Sequence, residues 1–270
     1  MKRVINKGEV KYRMSDYPKT QWFNTELMKL RGTAMFGNRG SGKSNLVKLL
    51  VRQLLNQNVT VKIFDPSQTH LRESDIQYYQ ILNSYTDLED IRNDSYTSMI
   101  FDTSRLYPEE QKLFISLIMA NDFQDATENK RVNWLRHVIE ECQLVLNSTV
   151  LRSRAGQEAL RWVTVGRNFK LTYLLASQRP SLVSTTAISL TGARYFGNLD
   201  EPNDLSKLKK FIRNKDILAK VPELTVGEFI VKLSQPKIVK TPLFKPYREP
   251  EEYIVETPKK KGFWAKLLGL

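Results

Sequence analysis

The sequence has very few residues of the kinds that build metal centres or disulfide frameworks. Its 270 residues include one cysteine, Cys142, and two histidines, His70 and His137. A single cysteine cannot form a disulfide within the chain, and two isolated histidines provide no repeated metal-ligand spacing. We therefore expect neither a disulfide-stapled fold nor a structural zinc site.

Long apolar runs are also missing from the sequence. No run approaches the roughly 20 residues needed to cross a bilayer. The charged start MKRVINKGEVKYR lacks the apolar centre of a signal peptide. Both absences predict a protein of a reducing, cytoplasmic interior.

Acidic residues are scarce relative to basic ones. The chain has 29 Asp and Glu against 42 Lys and Arg, which gives a formal net charge of +13. Such an excess favours an anionic partner, either nucleic acid or an anionic membrane surface, and charge alone does not choose between them. With 41% hydrophobic residues, the chain can bury the core of one main domain with appendages.

What the sequence does contain is the pattern G-x-x-x-x-G-K-[ST], within GNRGSGKSNL. A backbone that wraps phosphate must turn tightly, which glycine permits, and must point several N–H groups inward. The Lys43 ammonium then reaches the β- and γ-phosphates, and the Ser44 hydroxyl ligates Mg²⁺. We therefore predict a site for ATP and Mg²⁺. Its residues are Gly37, Asn38, Arg39, Gly40, Ser41, Gly42, Lys43, Ser44 and Asn45.

Short apolar segments alternate with helical patterns along most of the chain. The predicted strands are GTAMFG, VTVKIFDP, SMIFD, HVIEE, KLTYLLAS, ARYFG and GEFIVKL, and the helical patterns include KSNLVKLLVRQLLNQ, PEEQKLFISLIMANDF and AGQEALRWVTVG. This alternation predicts an α/β fold, a mostly parallel sheet sandwiched by helices. We place the core domain at 31–241, an N-terminal extension at 1–30, and a Pro- and charge-rich strap with a basic tail at 242–270.

Several predicted strands end on carboxylates, as nucleotide hydrolysis requires. One acid must stand behind the Mg²⁺ and another must orient the attacking water, both at the carboxyl ends of strands. Asp102 has no second acid beside it, whereas HVIEE supplies Glu140 and Glu141 in succession. Because adjacent strand residues point to opposite sides, we assign Glu140 to the metal and Glu141 to the water. The alternative is a solvated pair at a strand end.

A polar pair, Gln178 and Arg179, follows the apolar strand in LLASQRP. A polar side chain in that position can touch the γ-phosphate and report its loss. An ordinary loop is the alternative reading. We predict Gln178 as the sensor because the phosphate loop and the paired glutamates accompany it.

In their order, these motifs resemble the HerA and FtsK superfamily of RecA-like, DNA-pumping ATPases, from about Gly32 to Leu233. The superfamily includes viral genome-packaging and conjugative ATPases. The matching pieces, besides the phosphate loop and the late GEFIV strand, are Asp65-Pro66, MIFDTSRLYPEEQKLFISLIM, Glu140-Glu141-Cys142-Gln143, Gly166-Arg167 and Ser177-Gln178-Arg179-Pro180.

The resemblance implies a RecA-like P-loop NTPase in which Lys43 and Ser44 hold nucleotide and magnesium, Glu141 is the catalytic carboxylate and Gln178 the sensor. It also implies an arginine finger for a neighbouring subunit. Many relatives carry a further arginine where this chain has Thr164, so the sequence leaves two candidates for the finger, Arg167 first and Arg161 second. A second departure is Glu140, whose family counterpart is usually Asp and is one methylene shorter.

The function that the resemblance implies is an ATP-driven motor. We expect a homo-oligomeric ring, most simply a hexamer, that packages or pumps double-stranded DNA, and the compact chain favours viral genome packaging in the host cytoplasm or virion. The alternatives are a conjugation- or secretion-type ATPase and a nucleotide-dependent DNA-binding switch or scaffold with little hydrolysis. A GTPase is disfavoured because NKDI at Asn214 lacks the N-K-x-D order. A small kinase is disfavoured because paired glutamates suit water attack.

Two further basic segments carry expectations. The predicted helix DLSKLKKFIRNKD either tracks a phosphate backbone without reading bases or is a solvated face. The tail KKKGFWAKLLGL places Phe263, Trp264, Leu267 and Leu268 on one helical side beside lysines. It suits docking on a portal, capsid or membrane partner, with a disordered tail as the alternative.

Overall fold

The computed structural model describes residues 2–5, 32–70, 76–80, 97–129, 133–232, 235–244 and 254–256. The basic tail at 259–270 lies outside the described residues. The strands of the described part are Lys2–Ile5 (β1), Thr33–Phe36 (β2), Thr60–Asp65 (β3), Gln77–Gln80 (β4), Met99–Asp102 (β5), Leu135–Ile139 (β6), Leu171–Ser177 (β7), Ala193–Phe196 (β8), Glu228–Lys232 (β9), Pro236–Lys240 (β10) and Ile254–Glu256 (β11).

These strands form one mixed sheet, in the order β10-β9-β8-β2-β7-β6-β3-β5-β4-β1-β11. The strands from β8 to β4 in that order run parallel. Antiparallel pairs extend both edges: β9 and β10 next to β8, and β1 and β11 next to β4. The predicted α/β class with a mostly parallel sheet is confirmed.

Helices connect the parallel strands. The α-helices of the described part are Lys43–Leu55 (α1), Pro108–Asn129 (α2), Gln143–Leu146 (α3), Arg154–Val165 (α4), Thr185–Ser189 (α5), Pro202–Leu208 (α6) and Lys215–Ala219 (α7). The longest, α2, begins at Pro108 with Glu109 and Glu110 in its first turn, where carboxylates favour the positive end of the helix dipole. Helix α4 is capped by Ser153, whose side chain accepts from the Gly156 N–H at 3.2 Å.

Both faces of the central strands are buried, because helices cover each of them. On one face, the apolar stripe of α1, which includes the fully buried Leu46 and Leu50, packs in one cluster with Met35 of β2. On the other face, α2 and α4 place Phe114 and Trp162 in a second apolar cluster. The central strands therefore bury every residue, as in parallel sheets generally.

Two predictions about local structure are wrong. The HVIEE strand stops at Ile139, because the chain turns at Glu140 and Glu141 takes a left-handed conformation with φ 52°. The basic segment DLSKLKKFIRNKD was predicted as one helix, but α6 ends at Leu208 and α7 begins at Lys215. The chain turns inward between them because Ile212 is buried, and the Asn214 side chain caps the new helix.

Sequence reasoning did not identify β1, β4, β10 or β11. Two of these strands come from the segments assigned to the extension and the strap, and they pair with each other at one sheet edge. Neither shows the apolar run of the central strands, because an edge strand gains its stability from pairing. The domain boundaries at 31 and 241 stay a prediction.

Candidate nucleotide site at the carboxyl ends of the strands

The predicted phosphate loop connects β2 to α1. It turns through Gly40 and Gly42, with φ angles of 83° and 95°, a conformation that glycine adopts at little cost. Gly42 also lies tightly against the chain, since a Cβ added there would be 3.0 Å from the backbone nitrogen of Gly227. Only at Gly42 does the loop need glycine both for its φ angle and for the space it leaves.

The loop leaves donors available for an anion. The backbone N–H groups of Gly40, Gly42, Lys43 and Ser44 make no hydrogen bond within the described part of the chain. The Lys43 ammonium donates to the carbonyl of Asn38 at 3.1 Å, so two of its three donors remain. Burial lowers the pKa of Lys43, and the nearby Glu141 and Glu140 carboxylates oppose that shift. This donor set fits phosphate.

The other predicted loop residues differ in where their side chains lie: some are open to solvent, and others bond to neighbouring segments. Arg39 is exposed and Ser44 is half-buried beside Lys43. The Asn38 amide donates to Asp200 at 2.7 Å. Asn45 points its side chain away from the loop: its amide donates to the carbonyl of Pro242, and its oxygen accepts from the N–H of Phe244. That side chain holds the 242–244 segment against α1.

Gly37 and Ser41 complete the loop from inside. The N–H of Gly37 donates to the carbonyl of Ser177, the last residue of β7, at 3.4 Å. A Cβ on Gly37 would lie 2.6 Å from the Ser41 hydroxyl. The Ser41 carbonyl accepts from the Gly227 N–H at 3.0 Å, which ties the loop to the turn before β9.

Glu141 lies just beyond the end of β6, with both carboxylate oxygens held by amides. Oε1 accepts from Nε2 of Gln178 at 2.8 Å, and Oε2 accepts from Nε2 of Gln143 at 2.8 Å. The Gln143 oxygen accepts in turn from the hydroxyl of Ser177 at 2.7 Å. The structure thus joins the predicted catalytic carboxylate and the predicted sensor directly.

Glu140 is 8% exposed and faces a partner that sequence reasoning missed. Its Oε1 lies 2.7 Å from Nε2 of His70, which is itself buried. Burial by itself lowers the pKa of His70, but the hydrogen bond and charge of Glu140, with the charge of Asp65, outweigh it and raise that pKa. The imidazole therefore holds the Glu140 side chain in one orientation. No local pattern predicts this contact, because the two residues are 70 positions apart in the chain.

The other two carboxylates at strand ends, Asp65 and Asp102, accept hydrogen bonds from residues of the neighbouring loops. Asp65 accepts from the N–H groups of Thr69 and His70 at 3.1 and 2.7 Å. Asp102 accepts from the N–H of Ser104 at 2.9 Å and from Gln68 at 3.0 Å. The sequence-based choice of Glu140 and Glu141 over Asp102 stays a prediction.

Arg179, next to the predicted sensor, connects β7 to α6. Its Nε donates to Asp204 at 2.9 Å, and the Ser181 N–H donates to the same carboxylate at 2.8 Å. Asp204 is fully buried, so the contact replaces water on the carboxylate. Sequence reasoning missed Asp204 because it lies 25 positions beyond Arg179.

Neither predicted arginine finger lies among these groups. Arg161 lies over the Phe123 ring at 3.9 Å and 3.9 Å from Glu158. Arg167 is exposed on the turn that precedes β7, at the amino end of that strand, and its guanidinium makes no hydrogen bond, ion pair or ring contact with a described residue. The chain's own phosphate loop is at the opposite end of the strands.

The donor set also bears on magnesium. The described part contains no group of three or more His, Cys, Asp or Glu side chains that would hold a metal alone. Magnesium characteristically binds through one or two protein groups together with water and phosphate oxygens, so the Ser44 hydroxyl and the Glu140 carboxylate fit such a site.

None of the described helices is both long and apolar enough to span a membrane.

Comparison with known proteins agrees with this arrangement. Residues 25–74, which include the phosphate loop, match the family model for the central domain of the helicase HerA. Among curated protein sequences, none matches this chain.

Solved structures share the fold over most of the chain. The genome packaging NTPase B204 from Sulfolobus turreted icosahedral virus 2, in complex with AMPPCP, is 20% identical with a TM-score of 0.58, over 80% of this chain and 100% of that one. Its complex with ATP-gammaS gives 19% and 0.59, over 79% and 98%. VirB4 of Thermoanaerobacter pseudethanolicus is 11% identical with a TM-score of 0.58, over 80% and 90%.

These comparisons confirm the predicted resemblance to HerA- and FtsK-type ATPases, the RecA-like P-loop fold and the enzyme class, a P-loop ATPase. Binding of a nucleotide is the part of the cofactor prediction that they support.

Proposed function

We propose that this P-loop ATPase of the HerA and FtsK type hydrolyses ATP to move double-stranded DNA as a homo-oligomeric ring, with viral genome packaging as its role. The observation that carries the proposal is the meeting of three groups at the carboxyl ends of neighbouring strands. Lys43 follows β2, Glu141 follows β6 and Gln178 follows β7, and β7 lies between the other two strands.

The loop residues bind and orient the phosphates of ATP. Donors on the backbone from Gly40 to Ser44 and on the Lys43 ammonium are available to phosphate oxygens, and the N-terminus of α1 adds its positive dipole end. Ser44 and Glu140 would hold Mg²⁺, with His70 keeping the Glu140 carboxylate in place. When bound, the ion neutralises charge on the phosphates.

Glu141 polarises the attacking water. A carboxylate in this role must be fixed, and the amides of Gln143 and Gln178 fix both of its oxygens. The left-handed backbone of Glu141 costs about 1 kcal/mol or more, which is a cost often found at functional sites. Gln178 then senses the γ-phosphate, and Arg179 transmits the change to α6 through Asp204.

The arginine finger is proposed to act in trans. Arg167 is the better candidate, because its exposed guanidinium makes no hydrogen bond or ion pair with a described residue and lies on the turn at the amino end of β7. Arg161 is partly engaged by Phe123 and Glu158. A ring, with a hexamer as the simplest form, brings such an arginine to the neighbour's γ-phosphate.

DNA as the moving partner is supported by the net charge of +13 and by the fold of the packaging NTPase B204, whose whole chain is covered. A conjugation- or secretion-type ATPase is the second candidate, because VirB4 is covered over 90% of its chain at a similar TM-score. The boundaries at 31 and 241, and a portal, capsid or membrane partner for the tail, belong to the same proposal.

The test is phosphate release from ATP and Mg²⁺, with and without long double-stranded DNA. We expect DNA to accelerate release by the intact chain, and Glu141→Gln to lower release at least about 100-fold while ATP still binds. Glu223→Gln, at an exposed site, is the matched control and should behave as the intact chain does.

Two outcomes would reject the proposal. Turnover that DNA leaves unchanged would remove DNA as the partner. ATP binding without turnover in the assembled ring would instead identify a nucleotide-dependent switch or scaffold.

A further inference from the structure

A second, strongly basic pocket lies apart from the nucleotide site. It has a volume of about 740 Å³ and is formed by α5, the start of β8, the 210–217 segment and the β9–β10 hairpin. Arg194, Lys210, Arg213 and Lys232 contribute its cationic side chains, and none of the described residues that line it is Asp or Glu. A pocket that concentrates positive charge without compensation attracts an anion with several charges.

One of these cations is held in place before any ligand binds. The Nε of Arg194 donates to the carbonyl of Ile188 at 3.0 Å and to the hydroxyl of Thr191 at 3.1 Å. Its second nitrogen donates to the carbonyl of Ser189 at 2.8 Å, and its guanidinium lies 5.3 Å from the Phe211 ring centroid. Its orientation is therefore fixed in advance, which reduces the entropy lost on binding.

The other cations form the adjustable part of the pocket. Lys210 and Arg213 are exposed, and Lys232 is half-buried opposite Arg194 in the β8–β9 pairing. The hydroxyls of Thr185 and Ser189 add neutral hydrogen-bonding groups. Charges and hydroxyls of this kind contact phosphate and sugar and carry no base sequence information.

The pocket lies at the opposite end of the sheet from the phosphate loop. Arg194 is near the start of β8, where Ala193 pairs with Thr33 at the start of β2, whereas the loop follows the end of β2 at Phe36. A ligand in the pocket would not compete with ATP, because it would bind at the other end of the same parallel strands.

We propose that this pocket binds the phosphodiester backbone of the DNA, and this inference rests on the proposed function. The broken basic helix supports it. The chain turns inward between α6 and α7, so that Lys210 and Arg213 line one pocket together with Arg194 and Lys232 from the sheet. A solvated face would not require this convergence on residues of another element.

The same segment has a physical route to the nucleotide site. Helix α6, which leads into it, is bound to the β7 loop by Arg179 and Asp204, and the Lys207 ammonium donates to the carbonyl of Val183 at 2.9 Å. Gln178, bonded to Glu141, precedes Arg179. A change at the sensor therefore acts on the element that carries half of the pocket's cations.

The experiment compares two double variants of the full chain with equal loss of charge. Lys210→Ala with Arg213→Ala removes two exposed pocket cations, and Arg154→Ala with Lys220→Ala removes two exposed cations elsewhere. Affinity for double-stranded DNA is measured across salt concentrations, together with ATP binding and basal phosphate release. A second measurement, lysine acetylation read by mass spectrometry, reports whether DNA protects Lys210 and Lys232.

We expect the pocket variant to bind DNA about tenfold more weakly or worse, with a salt slope smaller by about 2, while ATP binding and basal release match the control. DNA should protect Lys210 and Lys232 from acetylation and leave Lys220 unprotected. Equal DNA affinity in the two variants, with no protection of the pocket lysines, overturns the inference and leaves the motor intact if DNA still stimulates release. If DNA neither binds nor stimulates the intact chain, the proposed function and the inference fall together.

Discussion

The two ends of the parallel strands differ in how their charges are balanced. At the carboxyl end, a lysine faces carboxylates, and amides and an imidazole hold those carboxylates in place. At the amino end, four cations line one pocket, and no carboxylate lies among its described lining residues. Balanced, fixed groups suit chemistry on a bound phosphate chain, whereas uncompensated cations suit retention of a polyanion. Under the proposed function, hydrolysis therefore belongs to the carboxyl end and retention of DNA to the amino end.

The largest change should follow from replacing Gly42, which tests whether the carboxyl end depends on its backbone. Gly42→Ala puts a side chain at φ 95° and 3.0 Å from the Gly227 nitrogen. Displacement of the loop should lower ATP turnover about 100- to 1,000-fold, measured as phosphate release.

Gly40→Ala is the matched control, because Gly40 has a φ of 83° with open space around its position. It should cost only the backbone strain. If the two variants lose turnover equally, strain alone matters, and the close approach to Gly227 has no role.

A third group of charged residues, Asp122, Lys62 and His137, lies between the two ends of the strands. Replacing one of them shows whether buried charge at the sheet serves function or stability. Asp122 of α2 accepts from Lys62 at 2.5 Å and lies 2.8 Å from Nε2 of His137, all three being buried. Removing one partner leaves a buried charge unpaired, so Asp122→Asn should lower the free energy of unfolding by about 3 kcal/mol, measured by denaturant titration. The exposed Glu128→Gln in the same helix is the control, and DNA binding by the folded variant should be unchanged.

The acid dependence of stability gives the same cluster a second signature. Burial by itself raises the pKa of Asp122, but Lys62 and then His137 outweigh it and hold that pKa below its usual value. Its contribution is therefore present above the unfolded pKa of about 4 and is lost as the pH falls through the lowered folded value. Asp122→Asn should flatten this acid limb, and an unchanged limb would contradict the assignment.

A moderate change should follow from loosening Glu141. Gln178→Ala removes the amide on Oε1 and leaves the Gln143 amide on Oε2. The maximal rate of phosphate release should fall about tenfold, because the carboxylate is no longer fixed for proton transfer. Gln124→Ala, exposed on α2, is the control; full activity of the Gln178 variant would remove the sensor assignment.

The smallest change should follow from weakening the link between the ends. Asp204→Asn reduces the charge that holds Arg179 while keeping the side chain's shape. Stimulation of phosphate release by DNA should fall about threefold, since coupling energies are of the order of 1 kcal/mol, while basal release stays close to that of the intact chain. Asp216→Asn, exposed on α7, is the control. Equal stimulation in both variants would show that the two ends communicate by another route.

Much of the fold was predictable, because the central strands and helices have recognisable local patterns of apolar residues. GTAMFG predicted β2, and the stripe that includes Leu46 and Leu50 predicted α1, since an apolar segment of that spacing must be buried. The edge strands β1 and β11 were not predictable, because they depend on each other as partners across the whole chain. The basic helix was overextended because the pattern of lysines did not reveal the inward turn at Ile212.

The sequence by itself determined the phosphate loop, since its glycines, Lys43 and Ser44 are neighbours along the chain and act through local backbone geometry. It also placed carboxylates at the ends of strands. Only the tertiary structure decided how those carboxylates are engaged. Asp65 accepts hydrogen bonds from the loop that follows it, Glu140 is paired with His70, and Glu141 accepts a hydrogen bond from Gln178. The physical reason is that hydrogen bonds between distant segments form only once the sheet brings the strand ends together.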